Sequence, residues 1–125
     1  MINMGKQILI IDDDRIIQVL LSRIFLRHGF QILTATSAQE GIEKLRNNTI
    51  DLITCDLMMP EISGLEFLQL TNGNPDWVSI PVIVISAAGH PAEVGKAIAL
   101  GARAVIHKPF KPEDVEDIIR NYLSD

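Results

Sequence analysis

Hydrophobic positions along the chain follow two patterns that alternate five times. Short, mainly apolar runs are typical of strands that are buried on both faces of a sheet. Longer stretches with an apolar residue at every third or fourth position are typical of amphipathic helices. The predicted strands are residues 7–11, 30–35, 52–55, 80–85 and 104–106. This alternation predicts an α/β fold with one open, doubly wound parallel sheet and helices on both of its faces.

Residues that cap or break helices mark the boundaries of the five predicted helices. Ser37 and Glu40 form a capping-box pattern at the start of the second helix. Gly29 is suited to end the first helix, and Pro112 suits the first position of the fifth. Gly95 lies within the fourth helix, which we therefore expect to be weak. The predicted helices cover about 15–28, 37–47, 65–71, 92–100 and 112–123.

Charged and hydroxyl side chains follow the predicted strands where those strands end. Asp12 and Asp13 follow the first strand, and Asp56 follows the third. Ser86 follows the fourth strand, and Lys108 comes just after the fifth. The carboxyl ends of parallel strands meet at one edge of a sheet, which is where ligands bind in open α/β folds. We therefore expect these five side chains to share one cleft.

The chemistry of this set points to phosphoryl groups. Three carboxylates in one cleft repel one another and need a cation, and their oxygens suit a hard ion such as Mg²⁺ or Mn²⁺. Lys108 can neutralise a phosphate group, and Ser86 can donate a hydrogen bond to one. Asp56 is expected at the middle of the cleft, so it is the candidate nucleophile, a metal ligand, or both.

Each of these residues also has a structural explanation when it is considered alone. Asp56 can cap the loop that follows it, and Asp12 and Asp13 can be acids at a helix N-terminus. A helix-terminal role is the one we favour for Asp14. The serine and the lysine can be ordinary loop or surface residues. The placement of all five at strand ends of one sheet favours a functional site.

Composition and charge narrow the class of protein. The 125 residues suit one domain, and a hydrophobic content of 47% with a mean hydropathy of +0.22 argues against disorder. No apolar run is long enough to cross a bilayer. The single cysteine, Cys55, allows no intrachain disulfide, which suits a reducing cytosol. We therefore expect a cytoplasmic protein. The net charge of −5 gives no general attraction to nucleic acid or anionic lipid, so we expect direct binding to neither nucleic acid nor membranes.

Taken in order, these motifs resemble the receiver domain of two-component response regulators, the CheY-like family. The matching residues are 10–14, Asp56 with Met59, Pro60 and Gly64, 84–87 and 108–110. The resemblance covers nearly the whole chain. It implies a flavodoxin-like sheet with strand order 2-1-3-4-5. It also implies one receiver domain over residues 1–125, ordered from about 5 to 124, with no effector domain in this chain.

The resemblance implies a phosphorelay signalling switch rather than an enzyme that acts on another substrate. Asp56 would accept a phosphoryl group from a histidine kinase or a phosphotransfer protein. Ser86 and Lys108 would bind the phosphoryl oxygens, and the bond between Lys108 and Pro109 would be cis. The implied ligands of Mg²⁺ are Asp12, Asp13, Asp56 and the main-chain carbonyl of Met58.

The resemblance also implies where partners bind. The side of the first helix that carries Arg15, Gln18 and Ser22 would meet the kinase, although a solvated helix face explains these residues equally well. The output would be a downstream protein or a missing effector domain. A homodimer would form through the fourth helix, the fifth strand and the fifth helix.

One position departs from the family pattern, and two others bear on how long the phosphoryl group lasts. The family places an aromatic residue three positions before the lysine, where this chain has Val105. Valine has a stiff side chain without a ring, so we expect no ring-flip relay. A shift of the Ser86 loop and repacking of the fourth helix are the routes left open, and we expect phosphorylation to change the face formed by the fourth helix, the fifth strand and the fifth helix. Met58 and Ala88 offer no acid or amide to orient an attacking water, so we expect the phosphoryl group to be lost slowly.

Three other functions fit the residues less well. A phosphohydrolase that uses Asp56 would carry a second acid two residues on, where this chain has Met58. A pseudo-receiver that is never phosphorylated would not need the acids, Ser86 and Lys108 together. A nucleotide-binding domain would carry a glycine-rich loop after the first strand, which is not present.

Overall fold

Five strands and five helices alternate along the part of the chain that the structure, a computed structural model, describes. That part is residues 5–87 and 91–123, so Ala88 and the predicted end of the core at residue 124 lie outside it. The strands are Gln7–Ile11 (β1), Gln31–Ala35 (β2), Leu52–Asp56 (β3), Val82–Ala87 (β4) and Ala104–Lys108 (β5). The helices are Arg15–Arg27 (α1), Ala38–Asn47 (α2), Gly64–Asn72 (α3), Pro91–Ala99 (α4) and Pro112–Tyr122 (α5).

The five strands form one parallel sheet in the order β2-β1-β3-β4-β5. The predicted open, doubly wound α/β sheet and its strand order are confirmed. The order reverses between β1 and β3, and in such sheets the crevice beyond the carboxyl ends at the reversal is the usual ligand site.

Two hydrophobic clusters cover the two faces of the sheet. Alternate residues of a strand point to opposite faces, so Leu9 and Ile11 enter one cluster while Ile8 and Ile10 enter the other. The first cluster includes residues of α2, α3 and α4, and the second includes residues of α1 and α5. Burial on both faces explains why the strands are continuous apolar runs. Helices packed on both faces also hold the carboxyl ends of the strands in place.

The ends of β4 and β5 differ from the prediction. β4 begins at Val82 rather than at residue 80, because Pro81 has no N–H to donate to the ladder. β4 then continues to Ala87, and β5 continues to Lys108. Ser86 and Lys108 are therefore strand residues, and the sheet fixes their backbones. The apolar pattern missed this because polar side chains end both apolar runs before the strands themselves end.

Candidate functional site

Three predicted acids and the predicted lysine meet at the carboxyl edge of the sheet. Asp12 and Asp13 follow β1, and Asp56 is the last residue of β3. One carboxylate oxygen from each of these acids lies within 4.8 Å of the other two. The Nζ atom of Lys108 is 3.5 Å from Oδ2 of Asp12 and 3.6 Å from Oδ1 of Asp56. The cleft therefore holds three carboxylates and one ammonium group.

Asp12 is held in place by the main chain that follows it. Its Oδ1 accepts a hydrogen bond of 2.9 Å from the main-chain N of Asp14. The carboxylate of Asp14 in turn accepts from the main-chain N of Ile16 at 2.9 Å and caps α1, as expected for a helix-terminal acid. The local structure thus turns the Asp12 side chain into the cleft and leaves Asp14 outside it.

Gln18 fixes the same segment from the side of α1. Its side chain is 6% exposed, and Nε2 donates to the carbonyl oxygens of Asp12 at 2.7 Å and Ala35 at 3.1 Å. The expectation that Gln18 lies on an outer side of the helix, available to a kinase, is wrong, because buried main-chain carbonyls need a donor. The sequence signal for this is its spacing from Leu21 and Phe25, which place position 18 on the inner face of the helix.

Asp56 ends β3, where the chain turns into the loop of residues 57–63 that leads to α3. Its Oδ1 accepts a long hydrogen bond of 3.4 Å from the main-chain N of Met58. The first residue of α3, Gly64, packs directly on this turn. A Cβ atom at position 64 would lie 2.6 Å from the carbonyl oxygen of Asp56 and 2.8 Å from the Cα of Leu57. Glycine is therefore what allows α3 to begin against the phosphoacceptor candidate.

Ser86 lies at the same edge of the sheet, but its hydroxyl is engaged elsewhere. The hydroxyl donates to the carbonyl oxygen of its neighbour Ala87 at 3.1 Å, and the residue is 1% exposed. Within residues 5–87 and 91–123, it makes no hydrogen bond to the acids or to Lys108. A rotation about χ1 between staggered positions would release the hydroxyl for another acceptor.

Burial controls the protonation of the acids in the cleft. Loss of solvent raises the pKa of Asp12 to about 6, although the hydrogen bond from the main chain of Asp14 acts in the opposite direction. Burial also raises the pKa of Asp56, and the ammonium of Lys108 opposes that rise. A cation bound between the two carboxylates would favour their ionised forms.

The donor set fits a hard divalent cation. The three clustered carboxylates supply the oxygen ligands that Mg²⁺ and Mn²⁺ prefer. Oδ2 of Asp12 is buried and has no hydrogen-bond partner among the described residues, which is costly unless an ion compensates for the lost solvent. Among the described residues, one ammonium group does not balance three carboxylates, so these groups together carry negative charge when ionised. The role of the Met58 carbonyl stays a prediction.

Two further features accompany the site. The peptide bond between Lys108 and Pro109 is cis, as the resemblance implies. Val105, at the position where the family has an aromatic residue, is half-buried and packs against the cluster shared by α2, α3 and α4. In the described part of the chain the longest helix, α1, has 13 residues, and no helix there has the length and apolar character of a membrane span.

Comparisons with known proteins agree with this geometry. Residues 8–120 match the family model of the response regulator receiver domain. The chain is 34% identical over 118 residues to the chemotaxis protein CheY of Thermotoga maritima. The aligned residues cover 93% of this chain and 96% of that protein. It is also 37% identical to the Regulator of RpoS of Escherichia coli over 107 residues, and these residues cover 86% of this chain.

The relatives differ in length. The chain spans 31% of the Regulator of RpoS, whereas it matches nearly all of the Thermotoga protein. Among solved structures, a CheY-like receiver domain protein of Methanospirillum hungatei has a TM-score of 0.86 at 28% identity. That match covers 94% of this chain and 93% of the other.

Proposed function

Because the chain belongs to the response regulator receiver family, we propose that it is a phosphorylation-dependent switch whose phosphoryl group is carried by Asp56. Receiver domains are signalling domains of two-component systems rather than enzymes that act on a separate substrate. The observation that carries the proposal is the position of Asp56, which clusters with two other carboxylates and lies 3.6 Å from the ammonium of Lys108.

In the proposed reaction, a carboxylate oxygen of Asp56 attacks the phosphorus of a phosphohistidine in a kinase or phosphotransfer protein. The P–N bond breaks, its electron pair stays on the imidazole, which takes up a proton, and an acyl phosphate forms on Asp56. Lys108 is placed to offset charge on the phosphoryl oxygens. Ser86 would donate to one of those oxygens once its hydroxyl turned from the Ala87 carbonyl.

Asp12 and Asp13 would hold Mg²⁺ or Mn²⁺ together with Asp56 and the main-chain carbonyl of Met58. The ion, when bound, neutralises charge on the transferring phosphoryl group. Asp12 is suited to this task because hydrogen bonds from the Asp14 main chain and the Gln18 side chain hold it in one place. We therefore expect phosphorylation to need the metal.

We further propose that phosphorylation alters contacts on the face formed by α4, β5 and α5. The partner there would be a downstream protein, an effector domain or a second copy of the chain. Ser86 and Lys108 support this placement because they belong to β4 and β5, which pair with each other at the side of the sheet next to this face. Among the described residues of α4, only Ala97 is buried and Val94 is partly buried against the same cluster, so α4 buries fewer side chains than α1 does.

The test is intact mass spectrometry after incubation with acetyl phosphate, in the presence of Mg²⁺ or of EDTA. We expect the gain of one phosphoryl group with Mg²⁺ and no gain with EDTA. Asp56→Asn should abolish the gain. Asp76→Asn, which changes an exposed acid in the loop before β4, is the matched control and should keep it.

Two results would overturn the proposal. The absence of any adduct, with Mg²⁺ binding shown independently, would make the chain a pseudo-receiver that acts only through contacts. Release of free phosphate without an adduct would instead indicate a phosphohydrolase. The second result is the less expected one, because the residue two positions after Asp56 is Met58, whose thioether cannot act as a general acid.

A further inference from the structure

Thr54 is a buried polar residue that the proposed reaction does not use. It lies in β3 and is 1% exposed, and its Oγ1 atom has no hydrogen-bond partner within residues 5–87 and 91–123. Within those ranges one other buried side-chain oxygen lacks a partner, and it is Oδ2 of Asp12. A buried hydroxyl without a hydrogen bond costs free energy, and buried polar groups are nearly always paired. The hydroxyl of Thr54 therefore calls for a partner.

Thr54 lies on the face of the sheet that carries the acid cleft. Strand residues alternate between faces, and Leu52 enters the cluster beneath α1 and α5 while Ile53 and Cys55 enter the opposite cluster. Thr54 therefore faces α1 and α5. Asp56 is two residues farther along β3 on the same face, so its Cα atom is about 7 Å from that of Thr54.

The strand register brings Asp12 close to the same place. Thr54 pairs with Ile10 of β1, and Asp12 is two residues beyond Ile10. The main-chain N of Asp12 donates to the carbonyl oxygen of Ala35 at 3.0 Å, so the strand geometry continues to Asp12. With neighbouring strands about 4.8 Å apart, the Cα atoms of Thr54 and Asp12 are separated by about 8 Å. A water molecule joins two polar atoms that are about 5.5 Å apart, so one water fits between the two side chains.

We propose that Thr54 is a positioning residue of the metal site, and that its hydroxyl and Oδ2 of Asp12 hold one buried water between them. The hydroxyl donates to the water, and the water donates to Oδ2. Oδ1 of Asp12 already accepts from the main-chain N of Asp14, so the bridge fixes the second oxygen and with it the plane of the carboxylate. The inference rests on the proposed metal site, but not on phosphoryl transfer to Asp56.

The bridge matters because a cation competes with Lys108 for the same oxygen. The Nζ atom of Lys108 is 3.5 Å from Oδ2 of Asp12 and attracts it towards β5. A carboxylate oxygen has two lone pairs, so Oδ2 can accept from the water and still bind Mg²⁺. Groups that orient metal ligands in this way typically change metal affinity by about 10–100-fold when they are removed. Thr54 would act on Mg²⁺ through Asp12, without touching the ion.

The test is an NMR titration of the ¹⁵N-labelled chain with Mg²⁺, repeated with Thr54→Val and Thr54→Ser. Valine keeps the branched shape and removes the hydroxyl, whereas serine keeps the hydroxyl. We expect Thr54→Val to raise the Kd for Mg²⁺ about tenfold and Thr54→Ser to stay within about threefold of the unmodified chain. Thr71→Val is the matched control, because it removes a buried hydroxyl that donates to the carbonyl oxygen of Leu68 in α3. It should leave the Kd unchanged.

A crystal structure of the unmodified chain tests the bridge directly. We expect one ordered water within hydrogen-bonding distance of Oγ1 of Thr54 and Oδ2 of Asp12, and no such water in Thr54→Val. The absence of a shared water in the unmodified chain would overturn the inference, as would equal impairment of Mg²⁺ binding by serine and valine. Thr54→Val that is more stable in EDTA and binds Mg²⁺ normally would overturn this inference alone, since the hydroxyl would then be only a cost to the fold. Failure of the unmodified chain to bind Mg²⁺ would overturn the metal site as well.

Discussion

The buried carboxylate of Asp12 shows how single residues set the chemistry of the cleft. One of its oxygens is satisfied by the main chain of Asp14, and the other lies 3.5 Å from the ammonium of Lys108 without a hydrogen bond. The residue is 1% exposed, so its charge is unfavourable in the metal-free protein. A cation that binds there would offset the cost of burying the ionised carboxylate, which favours its binding.

This burial predicts a pH-dependent cost. The pKa of Asp12 rises from 3.8 to about 6 on folding, so its contribution to stability is fully present below about pH 4 and is lost as the pH rises through 6. In EDTA above pH 6, Asp12→Asn should therefore be more stable than the unmodified chain, by on the order of 2 kcal/mol. Urea denaturation followed by circular dichroism measures this difference.

The same comparison with Mg²⁺ is the control for that substitution. Mg²⁺ should stabilise the unmodified chain and have little effect on Asp12→Asn, since an amide is a weaker ligand than a carboxylate. If Asp12→Asn is less stable than the unmodified chain in EDTA at pH 7.5, the ionised carboxylate of Asp12 does not destabilise the metal-free protein.

Gln18 supports a second prediction at this scale. Gln18→Ala removes the donor to two buried carbonyls, so it should lower the free energy of unfolding by about 1–3 kcal/mol. It should also weaken Mg²⁺ binding, because the Asp12 main chain loses its support. Gln69→Ala, which changes an exposed glutamine of α3, should alter neither quantity. Equal effects of the two substitutions on denaturation and Mg²⁺ titration would rule out this role.

At the scale of elements, the start of α3 is fitted to the turn at Asp56. Gly64→Ala would place a methyl group 2.6 Å from the Asp56 carbonyl, so the helix or the turn must move. We expect a loss of about 1–3 kcal/mol in the free energy of unfolding and slower phosphorylation by acetyl phosphate.

Gly95 offers the matched control for that substitution. It lies within α4, and apart from its chain neighbours and the backbone of the helix itself, a Cβ atom there would meet no described atom within 4 Å. Gly95→Ala should therefore stabilise the protein by about 0.5–1 kcal/mol, the gain expected from helix propensity. If both substitutions changed urea denaturation in the same direction, steric contact at position 64 would not be the cause.

The same elements show what sequence alone can predict. Strands buried on both faces leave a strong apolar signal, so the parallel sheet and the edge where Asp12, Asp56 and Lys108 meet follow from the pattern, whereas the strand order came from the family resemblance. Strand ends are less visible, because Ser86 and Lys108 are polar although they belong to the ladder. The inner position of Gln18 was missed because a polar residue was taken as exposed, whereas its two acceptors come from distant parts of the chain.

At the scale of the whole molecule, the helices that flank the site differ in how many of their side chains are buried. α1 and α5 pack together over one cluster, whereas α4 buries only Ala97 among its described residues. We expect binding of beryllium trifluoride with Mg²⁺, which mimics a phosphoryl group, to shift amide signals of α4 and β5 despite Val105. Asp56→Asn should show no such shifts. Shifts confined to residues 12–14, 56–58 and Lys108 would show that the signal does not leave the cleft.

The most direct test of the account is to locate the phosphoryl group itself. Reduction of the phosphorylated chain with borohydride converts an aspartyl phosphate to homoserine, and peptide mapping by mass spectrometry identifies the position. We predict homoserine at position 56 only, since Asp56 lies in the carboxylate cluster 3.6 Å from the ammonium of Lys108 and is the position that the family resemblance gives as the acceptor. Homoserine at position 12 or 13, or at an acid outside the cleft, would contradict the assignment of Asp56 as the acceptor.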